Sequence, residues 1–363
     1  MSWSPQQEAV LRAVRQWQSE RGQPVFRLFG YAGTGKTTLA NVIAADTHGT
    51  VAFGAFTGKA ALVLQSKGCE GARTLHSLIY TPKDDAETGE VRFERNDDAD
   101  LRSASLVIVD EVSMVGEDLG RDLLSFGRPV LVLGDPAQLQ PVKGTGFFTD
   151  AEPDVMLTEV HRQAADNPII AMATTVREGG RLRPGHYGSS EVVGAGVNLD
   201  ADRVLAADQV LVGTNRSRRA NNARFRELHG RGSSLPVPGD KLVCLRNNRA
   251  KRLLNGGLWQ ADRVEGHGAK INIDIASEDV EGVKAKVSVP IEFFTGDEGK
   301  LDPRTLRNVD QFDYGYALTV HKAQGSQWDD VVLFDESACF REHRARHLYT
   351  AITRAAETVT VVQ

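Results

Sequence analysis

The chain has 363 residues, 41% hydrophobic and 25% charged, which is the balance of a globular protein of two or three domains and excludes a disordered or fibrous one. No apolar run exceeds five residues (Ala60–Leu64, Ile169–Ala173), against the ~20 that a membrane helix requires. Forty-three basic against 48 acidic residues give a net charge of −5, so any affinity for a polyanion must come from local patches and not from the whole.

Pro5–Trp17 spaces Val10, Leu11, Val14 and Trp17 as one helical face, with Ser4 as its N-cap. Val25–Phe29 reads as a short strand, followed by a glycine-rich turn and a helix over Thr37–Ala45. A second strand, Val51–Phe56, precedes a helix over Lys59–Gln65. Ser105–Val109 and Val130–Leu133 are continuous apolar runs, the pattern of strands buried on both faces of a parallel sheet. Strands alternating with helices predict an α/β doubly wound fold.

Residues 81–100 break that texture. They are polar and acidic, and Thr88-Gly89 suits the turn of a surface hairpin inserted into the α/β unit. Helical spacing returns at Pro168–Arg177, Gly179–Gly196 reads as loop, and Val210–Val212 as another buried strand. Within 236–310, Val243–Leu245, Ile271–Ile275 and Val283–Phe294 read as strands between glycine-rich turns, predicting a small β-barrel insert. The α/β texture resumes from Ala317.

Charge is polarised along the chain. Thr214–Arg231 holds six arginines against Glu227, and Lys241–Arg252 holds five bases and no acid. Asp84–Asp100 holds eight acids against Arg92 and Arg95. The two basic runs are candidate nucleic-acid contacts, and solvated faces are the plain alternative. Cys69, Cys244 and Cys339 stand far apart and never as C-x-x-C, which argues against a disulfide framework or a cysteine zinc site. Met1-Ser2-Trp3-Ser4-Pro5-Gln6 lacks the build of a signal peptide, so a cytoplasmic protein is expected.

The chemistry begins at Gly30-Tyr31-Ala32-Gly33-Thr34-Gly35-Lys36-Thr37, a complete G-x-x-x-x-G-K-[ST] between a strand and a helix. Its glycines let backbone N–H groups fold round a phosphate, and the helix N-terminus adds its positive dipole end. Lys36 is placed to bridge β- and γ-phosphates, and the Thr37 hydroxyl to ligate Mg²⁺. A nucleoside triphosphate and Mg²⁺ are therefore expected, held by Gly30, Gly33, Thr34, Gly35, Lys36, Thr37 and Thr38. Leu106–Glu111 is a buried strand ending in two carboxylates. Asp110 suits the metal shell, and Glu111 the orientation and deprotonation of a water. In Leu131–Leu139, a third strand runs into a turn at Gly134-Asp135-Pro136-Ala137-Gln138. There Gln138 is placed to sense a γ-phosphate; a merely structural turn held by Asp135 is the plain alternative.

In order and content these motifs resemble superfamily 1 DNA helicases, in particular the 5′→3′ branch of RecD-like and phage Dda-like enzymes. The resemblance runs from Gln6 to Arg354. It implies two RecA-like motor domains, the first from 1–80 with 101–157 and the second from 158–235 with 311–363. The hairpin 81–100 and an SH3-like barrel at 236–310 are their inserts. Gln6 fits the adenine-reading glutamine, with Gln7 one residue away as the alternative. Thr57 and Lys59 in Ala55–Ala61, and Thr74 and His76 in Thr74–Leu78, match segments lining a single-strand path. Arg162 in Leu157–Gln163 matches a γ-phosphate contact, and Arg354 in Tyr349–Ala355 the arginine finger. Tyr316–Ser326, with Thr319, His321 and Lys322, is the most specific match to this branch. Ala323, Gln327 and Thr350 depart from the family's usual serine, glutamate and aliphatic residue, the last expected to matter little.

The resemblance thus implies a monomeric helicase moving 5′→3′ on single-stranded DNA, opening forked or tailed duplex, with hydrolysis between two motor domains. An RNA helicase of the same superfamily, or a nucleotide-switched single-strand clamp that does not translocate, stays open at this level.

Overall fold

The computed structural model describes residues 3–20, 22–84, 91–96, 100–140, 146–159, 166–197, 199–248, 250–266 and 268–363. It forms two compact units, Met1–Arg181 with Ala345–Thr353, and Leu182–Arg344 with Arg354–Gln363. The first unit therefore runs past the expected boundary at 157/158 and takes in helix Pro168–Arg177. That helix buries Ile169, Met172, Ala173 and Val176, and its Arg177 guanidinium lies 3.7 Å from the centre of the Tyr31 ring.

The first unit is built on a six-stranded sheet, ordered Arg73–Thr74, Val51–Ala55, Leu106–Asp110, Val130–Gly134, Val25–Gly30, Val155–Leu157. All its pairings are parallel. The continuous apolar runs are explained by cover on both faces. Phe26, Leu28, Leu106, Ile108, Leu131 and Leu133 enter one core with helices Pro5–Glu20, Lys36–Asp46 and Gly58–Ser66. Their alternate neighbours Val25, Phe29, Val107, Val109, Val130 and Val132 enter the other, with Leu75, Leu78, Leu119 and Leu123. Ser4 and Gln7 make a reciprocal capping box: Gln7 N donates to Ser4 Oγ at 3.3 Å and Ser4 N to Gln7 Oε1 at 3.1 Å.

The acidic segment forms a two-stranded antiparallel ribbon, Tyr80–Asp84 with Val91–Arg95. Lys83 pairs with Glu94 across it at 2.5 Å, and Phe93 is 65% exposed. Its base is tied to helix Glu117–Leu124 by the Tyr80 hydroxyl donating to Asp122, and Arg95 Nη1 donates to Ser125 Oγ at 3.0 Å. The expected turn at Thr88-Gly89 lies outside the described residues.

The second unit carries another six-stranded sheet, ordered Ala317–Thr319, Gln209–Val212, Trp328–Phe334, Ala355–Val362, Ser190–Val193, Gly185–Tyr187. Only the last strand pairs antiparallel. Gly179–Gly196, read as loop from its glycines, thus supplies the last two strands at one end of the sheet. The expected barrel is a five-stranded antiparallel sheet, ordered Lys284–Pro290, Lys270–Ser277, Leu258–Glu265, Lys241–Cys244, Phe312–Tyr314. It reaches beyond residue 310, and Val283–Phe294 divides into a strand ending at Pro290 and a short helix Glu292–Thr295. The sheet shares one core with the parallel sheet, Leu242, Trp259, Ile271, Ile273 and Phe312 packing with Val210, Val212 and Phe225. Among the described residues, no helix is long and apolar enough to cross a membrane.

Candidate nucleotide site and strand-contact residues

Strand Val25–Gly30 delivers the glycine-rich turn to the N-terminus of helix Lys36–Asp46. Gly33 and Gly35 hold φ of 77° and 82°, a left-handed conformation that strains other residues. A Cβ on Gly30 would stand 2.7 Å from Thr34 Oγ1 and 2.8 Å from Leu157 Cβ, so this strand end also needs the space. Lys36 Nζ donates to the carbonyls of Gly30 and Tyr31 at 2.7 and 3.0 Å, curling back over the turn. Thr37 Oγ1 donates to Asp110 Oδ2 at 3.2 Å, which brings the two expected metal-holding residues together. Thr34 is buried, and Thr38 faces solvent on the first turn of the helix.

Asp110 ends its strand with Oδ1 accepting from Glu111 N at 2.8 Å. Burial, then the neighbouring Glu111 carboxylate, pushes the Asp110 pKa up, while Lys36 opposes them. Glu111 itself sits at φ 55°, in the left-handed region that a non-glycine residue enters at a cost of ~1–3 kcal/mol. Asp135 caps its own turn, Oδ1 accepting from Ala137 N at 2.9 Å. Gln138 is buried, and its Oε1 has no hydrogen-bond partner among the described residues.

Gln6 and Gln7, the two alternatives for the adenine-reading glutamine, make different contacts. Gln7 is buried, and its Nε2 donates to Thr34 O at 3.2 Å, bracing the cradle from below. Gln6 Oε1 accepts from the backbone N–H of Thr158 and Glu159, each at 3.0 Å, and its Nε2 donates to Thr158 Oγ1 at 2.9 Å. Arg162 lies outside the described residues.

Residues 345–353 add partners that sequence reasoning passed over. The Tyr349 hydroxyl donates to Asp135 Oδ2 at 2.7 Å and accepts from Ala32 N at 2.9 Å, joining the cradle to the Asp135 turn. Thr350 Oγ1 accepts from Leu139 N at 2.9 Å, so this departure from an aliphatic residue holds a buried N–H. The spacing of these residues from Lys36, more than 300 positions, gave no local signal. Arg354 belongs to the second unit, where it is buried and its Nη1 donates to Ser326 O at 3.3 Å.

In the first unit, Thr57 and Thr74 are N-caps, accepting from Ala60 N at 3.1 Å and Ser77 N at 3.2 Å. Lys59 is buried on the helix that Thr57 caps. The His76 ring packs against Phe56 and Tyr80, and the loss of solvent there lowers its pKa. In the second unit, Thr319 ends its strand and His321 packs against Phe340, where burial lowers its pKa in the same way. Both shifts favour the neutral imidazole over the cation. Burial, then Arg218, brings Lys322 down to about 8, with Asp313 opposing.

The arginine-rich run is spent largely on structure. Arg218 pairs with Asp313 at 2.5 Å, Arg219 with Glu298 at 2.7 Å and Arg224 with Glu227 at 2.9 Å. Arg226 and Arg231 both pair with the fully buried Asp240, at 3.2 and 2.9 Å. Five of the six arginines of the run are thus paired with carboxylates. The Asn222 amide donates to Tyr314 O and Ala317 O and accepts from Ala317 N, tying helix Asn215–Leu228 to the neighbouring segment.

Two family models match the chain: an AAA domain over residues 2–194 and a UvrD-like helicase C-terminal domain over 314–362. Their order is that of the motifs. The chain belongs to the superfamily 1 helicase family. Among this family, the ATP-dependent RecD2 DNA helicase of Deinococcus radiodurans is 31% identical over 93% of this chain and 46% of its own length. The ATP-dependent DNA helicase dda of Enterobacteria phage T4 is 36% identical over 41% of this chain and 37% of its own. The chain thus spans less than half the length of either relative. A crystal structure of Bacteroides Pif1 bound to single-stranded DNA has the same fold, with a TM-score of 0.60 at 17% identity, covering 99% of this chain and 92% of that one.

Proposed function

We propose that this superfamily 1 member is an ATP- and Mg²⁺-dependent DNA helicase that moves 5′→3′ on single strands and opens forked or tailed duplex. The observation that carries the reading is the first-unit cluster of Lys36, the Thr37–Asp110 pair and Glu111 on one cradle. The cluster fits a magnesium nucleotide. Its hydroxyl and carboxylate are already paired, and among the described residues the buried Gln138 Oε1 lacks a partner.

In this reading Lys36 leaves the Gly30 and Tyr31 carbonyls to hold the β- and γ-phosphates. Thr37 and Asp110 hold Mg²⁺, which supplies Lewis-acid stabilisation of the phosphoryl oxygens. Glu111 orients the attacking water and takes its proton, and Gln138 registers the γ-phosphate. Arg162 and Arg354 stabilise charge on the transferring phosphoryl, a role worth ~10³–10⁵ in rate. Thr57, Lys59, Thr74, His76, Thr319, His321 and Lys322 contact the strand. The two units act as the motor domains of a monomer in the cytoplasm, and the ribbon at 81–100 is the wedge.

Strand displacement on duplexes with a 5′ or a 3′ tail, each made of DNA or RNA, tests the proposal. Displacement from 5′-tailed DNA alone is expected. Preference for a 3′ tail or for RNA overturns the polarity or the substrate, and ATPase unaffected by single strands overturns the motor.

A further inference from the structure

The second basic run of the sequence, Lys241–Arg252, finds a different use from the first. On the antiparallel sheet of the second unit, a cleft of about 440 Å³ is lined by Arg246, Lys251, Lys270 and Arg307, and Asp310 is the one carboxylate on its described wall. Asp310 is only 8% exposed and already satisfied, accepting from Lys251 Nζ at 2.6 Å, Ser288 N at 3.0 Å and Asn248 Nδ2 at 3.3 Å. Its charge offsets one lysine. Arg246 is held in place by Nη1 donating to the carbonyls of Leu306 and Arg307 at 2.8 and 2.6 Å. Among the described residues nothing bonds its Nε or Nη2, so an ordered guanidinium edge remains for a ligand. Lys270, exposed at the start of its strand, makes no ion pair among the described residues. This is the opposite of helix Asn215–Leu228, whose cations are mostly paired with carboxylates.

A cleft with this surplus of positive charge takes an anion, and an arginine fork beside lysines suits phosphate oxygens. The remaining walls narrow the class. Among the described residues no aromatic ring lines the cleft and Val309 is the one apolar residue there, so none of them stacks a base. We propose that this cleft binds the sugar-phosphate backbone of a nucleic acid, through one or two phosphodiesters and without reading base identity. The inference rests on the nucleic-acid motor reading above and adds to it a contact remote in sequence from the helicase motifs.

The test is fluorescence anisotropy with a labelled single strand and a 5′-tailed duplex, across a salt series, on the full chain. Each phosphate contact contributes ~0.7–0.9 to the log–log salt slope, so Lys270→Glu with Arg307→Glu should lower the slope by about 1 and raise Kd about tenfold. Basal ATPase should stay within twofold. The matching control, Lys284→Glu with Lys286→Glu, reverses charges on the same sheet at side chains 73% and 85% exposed, and should shift Kd less than threefold. Equal losses in both pairs, or unchanged affinity and slope in the first, overturn the cleft while leaving the motor reading intact. Wild-type protein that binds no nucleic acid overturns both. Isothermal titration with inorganic phosphate supplies the last arm. Phosphate binding that vanishes in the first pair while oligonucleotide affinity is unchanged reassigns the cleft to a free anion and overturns the proposal.

Discussion

Tyr349→Phe removes one oxygen from the first unit and breaks two bonds at once. The hydroxyl donates to Asp135, which is 4% exposed, and accepts from the Ala32 N–H of the cradle. A hydrogen bond to a charged group is worth ~1.5–3 kcal/mol, and Asp135 keeps its bond from Ala137, so a net loss of about 2 kcal/mol is expected. For a unit of this size that corresponds to roughly 4–8 °C in Tm. The loss depends on pH, and its sign follows from Asp135. Burial raises its pKa in the folded state while the Tyr349 bond and Lys36 pull it down. A raised folded pKa means stability that is full below the unfolded carboxylate pKa and is lost as pH rises through the folded one. Removing the donor raises that pKa further, so the deficit of the variant grows from acid to alkaline pH. Urea unfolding without nucleotide at a series of pH values reads the trend, and hydrogen exchange at residues 30–38 reads the freed Ala32 amide. A deficit under about 0.5 kcal/mol at alkaline pH, well short of the charged-bond value, refutes the reasoning. So does a deficit that is flat with pH.

Three further outcomes are expected. Asp110→Asn should abolish ATP hydrolysis yet stabilise the nucleotide-free protein by on the order of 1 kcal/mol at alkaline pH, because it removes a buried charge beside Glu111. That gain should shrink as pH falls through the folded Asp110 pKa and vanish only below the ordinary carboxylate pKa, and thermal melts across pH check it. Arg354→Lys should cut turnover by ~10³ with nucleotide affinity within about tenfold, since a planar fork in the transition state is not replaced by a point charge; steady-state ATPase and nucleotide titration separate the two. Replacing Lys83–Asp98 by a short Gly-Ser linker should leave DNA-stimulated ATPase within about threefold and lower unwinding from a 5′ tail about tenfold, if a rigid element must split the pair ahead of the motor; a displacement assay on the tailed duplex decides it.

Much of this protein is local and so was legible in the chain itself. The cradle depends on glycines that reach positive φ at Gly33 and Gly35, and on a strand and helix whose apolar pattern is set within a few residues. The parallel sheet was visible in runs such as Leu106–Val109, because cover on both faces demands continuous apolar residues. The pairings that span the chain were decided by tertiary structure. Tyr349 and Thr350 reach Ala32, Asp135 and Leu139 only because residues 345–353 pack with the first unit. Charge was the least legible property, because a sequence shows that a side chain is cationic but not which carboxylate faces it. The six arginines of Thr214–Arg231 looked like the stronger patch, yet Asp240, Glu227, Glu298 and Asp313 take up most of them. The shorter run from Lys241 keeps its surplus, because the fold sets Arg246 and Lys251 beside Lys270 and Arg307 with one satisfied carboxylate among them. Motif and periodicity are properties of neighbours in sequence; net local charge belongs to neighbours in space, and only the folded chain sets those.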